Sequence, residues 1–154
     1  MDSIKIFDMT MQDLESISDI LESDFDDFWN VTTLKSELLN PNSKYIIAKS
    51  DNLIVGFAGI WKAVDDIHIT NIVVHKKFRN QSIGSIMLSK LIEMAKLEQN
   101  INSITLEVNS NNISAIKLYE KFGFQVVGLR KKYYNNIDDA IIYTKYLTDA
   151  NYKN

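Results

Sequence analysis

The chain has 154 residues, with 17 Lys+Arg against 20 Asp+Glu and a formal net charge of -3. That length suits one domain with its own core, 45% hydrophobic with 24% charged residues is a globular balance, and no apolar run approaches the ~20 residues of a membrane helix. The absence of cysteine excludes a disulfide framework, thiolate metal ligands and a cysteine nucleophile, while mild acidity speaks against nucleic acid, which calls for a clustered basic surface.

Ile4 and Ile6 alternate with Lys5 and predict a short first strand. Thr10, with Asp13 three residues on, caps a helix whose Leu14, Ile17, Ile20 and Leu21 share a face. Thr32 or Thr33 caps a second helix carrying Leu34, Leu38 and Leu39. The single proline, Pro41, falls in a turn-type cluster. Tyr45–Ala48 and Leu53–Trp61 are apolar, β-branched runs around Ser50-Asp51-Asn52, a hairpin signal. Ile67, Ile69 and Ile72-Val73-Val74 make the next strand. Ile83, Met87, Leu91 and Ala95 then recur at helical spacing, with Ile86, Leu88 and Ile92 widening the stripe. Ser103–Val108 reads as a strand, Ile113–Phe122 as a helix, and Phe124–Leu129 and Ala140–Tyr146 as strands. The order βααβββαβαββ predicts an α/β fold: a mixed sheet with helices on both faces.

Three segments could carry chemistry. Arg79-Asn80-Gln81-Ser82-Ile83-Gly84-Ser85 joins a strand to the longest helix. A helix N-terminus offers unpaired N–H groups to a phosphate; Gly84 lets backbone approach and Arg79 adds a cation. Taken alone, the segment fits an ordinary strand–loop–helix connection equally well. The second is Glu107, in Ile104-Thr105-Leu106-Glu107-Val108. By alternation it faces away from the apolar residues, as a general base or as a solvated strand residue. The third is Ala115 to Phe124, where Ile116, Leu118 and Phe122 are expected in the core and Gly123 ends the helix. Tyr119 is either a core aromatic or a proton donor.

Asp19, Glu22, Asp24, Asp26 and Asp27 put five carboxylates in nine residues. They could attract a cationic peptide N-terminus, with Trp29 as a cleft wall, or form a solvated helix end. His68 and His75 are expected at the surface or an edge, and their spacing makes no metal site.

Together, in this order, the segments resemble the GNAT superfamily of acyl-CoA-dependent N-acetyltransferases. The residues that carry the resemblance are Asn71-Ile72-Val73-Val74, Arg79 to Gly84, Leu106-Glu107-Val108, Asn112, Ala115 to Phe124, Arg130-Lys131-Lys132-Tyr133-Tyr134 and Asp139-Ala140. Within the superfamily the chain is similar to the RimI group, which acetylates the N-terminal alanine of a small-subunit ribosomal protein. The resemblance implies the GNAT fold, with a mostly antiparallel central sheet in a single domain over residues 1–154. It implies acetyl-CoA as co-substrate, no metal, and a protein N-terminus as partner. Backbone groups of Ile72, Val73 and Val74 would meet the pantetheine arm and thioester. Arg79, Asn80, Gln81, Ser82, Ile83, Gly84 and Ser85 would hold the pyrophosphate, and Asn112 would also bind the cofactor. Glu107 would be general base and Tyr119 general acid, with Tyr133 and Tyr134 lining the peptide cleft or packing in a strand.

The superfamily loop usually has glycine where this chain has Ser82. The expectation is a negative φ there, at which serine is unstrained and still donates its N–H. A small amine such as a polyamine, aminoglycoside or amino acid is the rival acceptor, and a noncatalytic acyl-CoA-binding module the rival class. The N-terminal stretch Met1-Asp2-Ser3-Ile4-Lys5 lacks a signal-peptide layout, so a cytoplasmic protein is expected.

Overall fold

The computed structural model describes residues 3–25 and 29–147. Its elements are β1 (Ile4–Asp8), α1 (Met11–Ile17), a 3-10 turn (Ser18–Ile20), a π turn (Leu21–Phe25), α2 (Val31–Leu39), β2 (Ser43–Ser50), β3 (Leu53–Ala63) and β4 (Asp66–Val74). A 3-10 turn (Lys76–Phe78), α3 (Ile83–Leu97), β5 (Ser103–Asn109), α4 (Ile113–Lys121), β6 (Gln125–Tyr134) and β7 (Asp138–Tyr146) follow. The strands form one seven-stranded, mostly antiparallel sheet in the order β1-β2-β3-β4-β5-β7-β6. Among the described residues no helix is long and apolar enough to cross a membrane.

The chain divides into two compact units, Met1–Trp61 with Thr70–Glu93, and Lys62–Ile69 with Met94–Asn154. In the first unit, Thr10 Oγ1 accepts the Asp13 N–H at 3.0 Å and the Thr10 N–H donates to Asp13 Oδ2 at 2.8 Å, a reciprocal cap on α1. Leu14, Ile17, Leu21 and Phe25 then descend one face and are buried with Leu34, Tyr45, Ile47 and Phe57. The cap of α2 is Asn30, whose Oδ1 accepts the Thr33 N–H at 2.9 Å, rather than Thr32 or Thr33. Asn is as good a cap as any, and Val31 can open the helix once Asn30 has closed it. On α3, Ile83, Met87 and Leu91 are buried as their spacing predicts, but Ile86 is exposed.

One cross-strand device fixes β3 against β2. Tyr45 stands opposite Gly59, and a Cβ at Gly59 would come within 2.2 to 2.5 Å of the Tyr45 ring carbons. Glycine is therefore required for close approach. The Tyr45 hydroxyl meets Thr70 Oγ1 and accepts the Asn71 Nδ2–H, both at 2.9 Å. This anchors β4 just ahead of Ile72-Val73-Val74.

In the second unit, the parallel pairing of β4 with β5 runs from Asp66↔Ser103 to His68↔Thr105, braced by Ser103 Oγ donating to Asp66 Oδ1 at 2.6 Å. β7 lies antiparallel between β5 and β6. β6 runs five residues past Leu129, because Asn135 (φ 54) and Asn136 (φ 59) form a tight turn of the kind that suits strand twist. On α4 the buried residue is Tyr119, while Ile116, Leu118 and Phe122 are only half-buried, contrary to expectation. The helix turns its tyrosine inward, stacked edge-on to Phe124 at 5.8 Å.

Candidate active site

The loop into α3 lies in the first unit. Ser82 has φ 66 and Asn80 φ 63. The expected negative φ at Ser82 is therefore wrong. The physical reason is the alternation itself. Left-handed residues stand on either side of Gln81, and alternation of left-handed with ordinary backbone is the pattern by which successive N–H groups form an anion-binding concavity. The Ile86 N–H donates to Ser82 O at 3.1 Å, the first bond of α3. The three N–H groups ahead of it, of Ile83, Gly84 and Ser85, have no acceptor within the helix. Backbone and helix dipole thus fit a pyrophosphate, with no side chain required.

Arg79 is engaged with the chain beside this loop. Its Nε–H donates to Val74 O at 3.1 Å and its Nη2 to Phe25 O at 3.2 Å. It ties the end of the π turn to the end of β4. His75 is buried rather than at the surface, because it lies outside any strand and is gripped edge-on by Phe25 at 5.1 Å and Phe78 at 5.3 Å. Its Nδ1 accepts the Lys77 N–H at 3.1 Å, and its Nε2 faces Asp24 Oδ2 at 3.5 Å. Of the acidic run, Asp24 thus has a partner, and Asp26 and Asp27 lie outside the described residues. Trp29 packs half-buried against the core around Leu14 and Phe25, as does Val73.

The second unit gathers Glu107, Tyr119, Arg130, Tyr133 and Tyr134. Glu107 points to the polar side of β5, whose residues alternate half-buried and buried. Its Oε2 accepts the Arg130 Nε–H at 2.8 Å, and the Arg130 guanidinium lies 5.3 Å from the Tyr133 ring centre. Tyr133 and Tyr134 meet edge to face at 5.0 Å. Burial, then the charges of Glu107 and Tyr133, push the Tyr134 phenol up to about 12. Burial, reinforced by Tyr134, pushes the Tyr119 phenol higher still. Tyr119 is 8% exposed, yet its hydroxyl bonds to no described residue. A buried phenol normally finds a partner, and burial keeps this one protonated.

The position of Tyr119 is fixed by its own helix end. Gly123 takes φ 89, and the Phe124 and Gly123 N–H groups donate to Tyr119 O and Glu120 O, both at 3.0 Å. Lys145 Nζ closes the same end on Phe122 O at 2.9 Å. Asn112 is the N-cap of α4, its Oδ1 accepting the Ala115 N–H at 3.2 Å. Asn109 and Asn111 both donate to Asp138, at 3.1 and 2.8 Å, which fastens the turn after Glu107 to β7. Among the described residues no cluster of His, Asp and Glu could hold a metal ion.

The model of the acetyltransferase (GNAT) family matches residues 14–124. The chain belongs to this family. A putative [ribosomal protein bS18]-alanine N-acetyltransferase of Bacillus subtilis is 37% identical over 136 residues, 87% of this chain and 89% of that protein. A [ribosomal protein bS18]-alanine N-acetyltransferase of Haemophilus influenzae is 34% identical over 77% of this chain and 82% of its own length. The crystal structure of the ribosomal-protein-S18-alanine N-acetyltransferase of Escherichia coli superposes with a TM-score of 0.84 at 26% identity, covering 94% of each chain. This GNAT chain is an acetyl-CoA-dependent N-acetyltransferase.

Two site contacts escape a reading of the sequence. Asn71 is the buried partner of Tyr45, and only the β2–β3–β4 register brings them together. Arg130 reaches Glu107 across an intervening strand. Tyr134, expected in the cleft or in a strand, lies at the end of β6, which the Asn135-Asn136 turn extends.

Proposed function

We propose that this GNAT enzyme acetylates the N-terminal α-amine of a protein, with an alanine-initiated ribosomal protein of the bS18 type as acceptor. The observation that carries it is that a part-exposed carboxylate, Glu107, and a buried phenol, Tyr119, both neighbour Tyr134 in one cluster. The relatives named for this reaction, matched over most of their length, point to the acceptor.

Acetyl-CoA supplies an acetyl thioester. The acceptor nitrogen attacks its carbonyl carbon, a C–N bond forms, and the C–S bond breaks. No acyl-enzyme is needed, since the chain has no cysteine. Glu107, directly or through water, takes the proton that the nitrogen loses. Tyr119 gives its proton to the departing thiolate. A backbone N–H near Val74 polarises the carbonyl, and the N–H groups between Asn80 and Ser85 hold the pyrophosphate. Asn112 adds a cofactor contact, and Trp29, Tyr133 and Tyr134 contact the acceptor.

The test is a panel of peptides and small amines incubated with acetyl-CoA and read by mass. An Ala-initiated peptide modified at its α-amine supports the proposal. Modification only of polyamines, aminoglycosides or amino acids rejects it. Binding of acetyl-CoA without transfer to any amine would indicate a binding module.

A further inference from the structure

Arg130 and Glu107 do not lie on neighbouring strands. Arg130 on β6 stands opposite Ala140 of β7, and Glu107 on β5 stands opposite Ile142 of β7. Ala140 and Ile142 project from the same face of β7, so the arginine reaches diagonally over a whole strand. Two strand spacings are about 9.5 Å, a span that needs a long cationic side chain. The reach ends in a 2.8 Å contact to Glu107 Oε2, with the guanidinium supported on the Tyr133 ring. A cation therefore already occupies the carboxylate that would receive the acceptor's proton.

We propose that Arg130 is a positioning residue that neutralises Glu107 toward the incoming acceptor, so that the site draws the neutral amine instead of the ammonium ion. This rests on Glu107 being the base. A bare carboxylate would attract the α-ammonium, which predominates at pH 7 because α-amino groups titrate at about 7.7–8.0. That complex is tighter but unreactive, since its nitrogen has no lone pair to attack with. The Glu107–Arg130 pair has no net charge and gives the ammonium form no advantage. Tyr133 and Tyr134 on β6 and, beyond Tyr134, Tyr119 on α4 are the other titratable groups of the cluster. The β7 residue facing Glu107 is Ile142. With its phenol pushed up to about 12, Tyr134 keeps its proton through pH 9.

The test is steady-state kinetics of Arg130→Gln with an Ala-initiated peptide at pH 7 and pH 9. An exposed ion pair shifts an equilibrium roughly two- to fivefold. Arg130→Gln should lower KM for the peptide and kcat together by that factor at pH 7, leaving kcat/KM within about twofold. At pH 9, where the amine is mostly neutral, the difference should fade. Arg130→Lys, which keeps a cation, should show less than half of the shift. A merely structural role would not lower KM, nor make the effect depend on pH. An unchanged or raised KM at pH 7, or a fall that persists at pH 9, overturns the inference. In a Glu107→Gln background the Arg130→Gln shift should vanish, and its persistence overturns the inference too. If Glu107→Gln alone keeps full turnover, the base assignment fails; the shift and its loss in that background would still uphold Arg130 as the occupant of Glu107.

Discussion

Ser82 offers the sharpest quantitative test of the loop. It holds φ 66, where a residue with a Cβ is strained by roughly 1–2 kcal/mol. Glycine relieves that strain but loses about 0.4–1 kcal/mol through the greater freedom of its unfolded chain. At the middle of each range, Ser82→Gly should stabilise the protein by about 0.8 kcal/mol. For a chain of this size 1 kcal/mol corresponds to about 2–4 °C, so Tm should rise by about 1–4 °C in thermal unfolding followed by circular dichroism. Ser82→Ala keeps the strain and should leave Tm within about 1 °C. Asn80→Gly should also gain less than Ser82→Gly, although Asn80 has φ 63, because asparagine tolerates the left-handed region. If backbone N–H groups hold the pyrophosphate, the Kd of acetyl-CoA should stay within about twofold in all three variants. An unchanged or lower Tm in Ser82→Gly, or an equal rise in Ser82→Ala, would refute the strain.

The remaining predictions concern the proton path and the packing. Glu107→Gln and Tyr119→Phe should each lower kcat by about 100-fold, the lower end for a general acid or base, with acetyl-CoA binding by calorimetry retained; full turnover in either variant removes that residue's role. Gly59→Ala places a Cβ against the Tyr45 ring and should cost about 2–3 kcal/mol, the upper part of the range for overpacking, seen as a Tm lower by about 4–12 °C. Adding Tyr45→Ala to Gly59→Ala should give less than the sum of the two losses; strict additivity would show that the ring does not cover Gly59. The Tyr134 phenol sits at about 12 in the folded state against 10.0 ordinarily. The folded protein thus keeps a proton that the unfolded chain releases, and stability contributed below pH 10 is lost as pH rises toward 12. Tyr134→Phe should move the alkaline unfolding midpoint upward, and an unmoved midpoint would contradict the raised phenol.

What was legible in the sequence follows from how local each cause is. The α3 stripe of Ile83, Met87 and Leu91 and the Thr10–Asp13 cap depend on residues within a few turns of one another, and both formed as their spacing predicts. The cap of α2 was ambiguous because Asn30, Thr32 and Thr33 are all good cap residues, and only the Asn30 Oδ1 contact to the Thr33 N–H separates them. His75 carries no periodicity, since it follows β4, and its burial comes from Phe25 and Phe78, the former fifty residues away. The hand of Ser82 was hidden because serine says nothing about φ unless one knows that the loop needs alternation. Glu107 and Tyr119 stood out through a family pattern, but their setting depends on the register of β5, β7 and β6. That register is interrupted twice between β6 and β7, at Val126/Gly128 and Arg130/Tyr134. Shifts of that kind leave little trace in a sequence of the form Arg-Lys-Lys-Tyr-Tyr.

The Arg130–Glu107 pair also bears on which amines the enzyme can use. A carboxylate whose charge is already matched by a guanidinium gives a cationic amine no added attraction. An α-amino group titrates about 2.5 units below a lysine side chain, a difference of about 3.4 kcal/mol in the free energy needed to reach the neutral amine. At pH 7 roughly a tenth of α-amines already carry a lone pair, against fewer than one lysine in a thousand. A weak base is enough for the first and falls short for the second by a factor of about 300. Preference for chain termini over lysines thus requires no pocket that excludes a lysine side chain. A charge-matched pair gives the ammonium form of neither amine an advantage and keeps that chemical gap intact. On this account, peptide sequence sets which termini dock against Tyr133 and Tyr134, and proton chemistry at Glu107 sets that termini react at all.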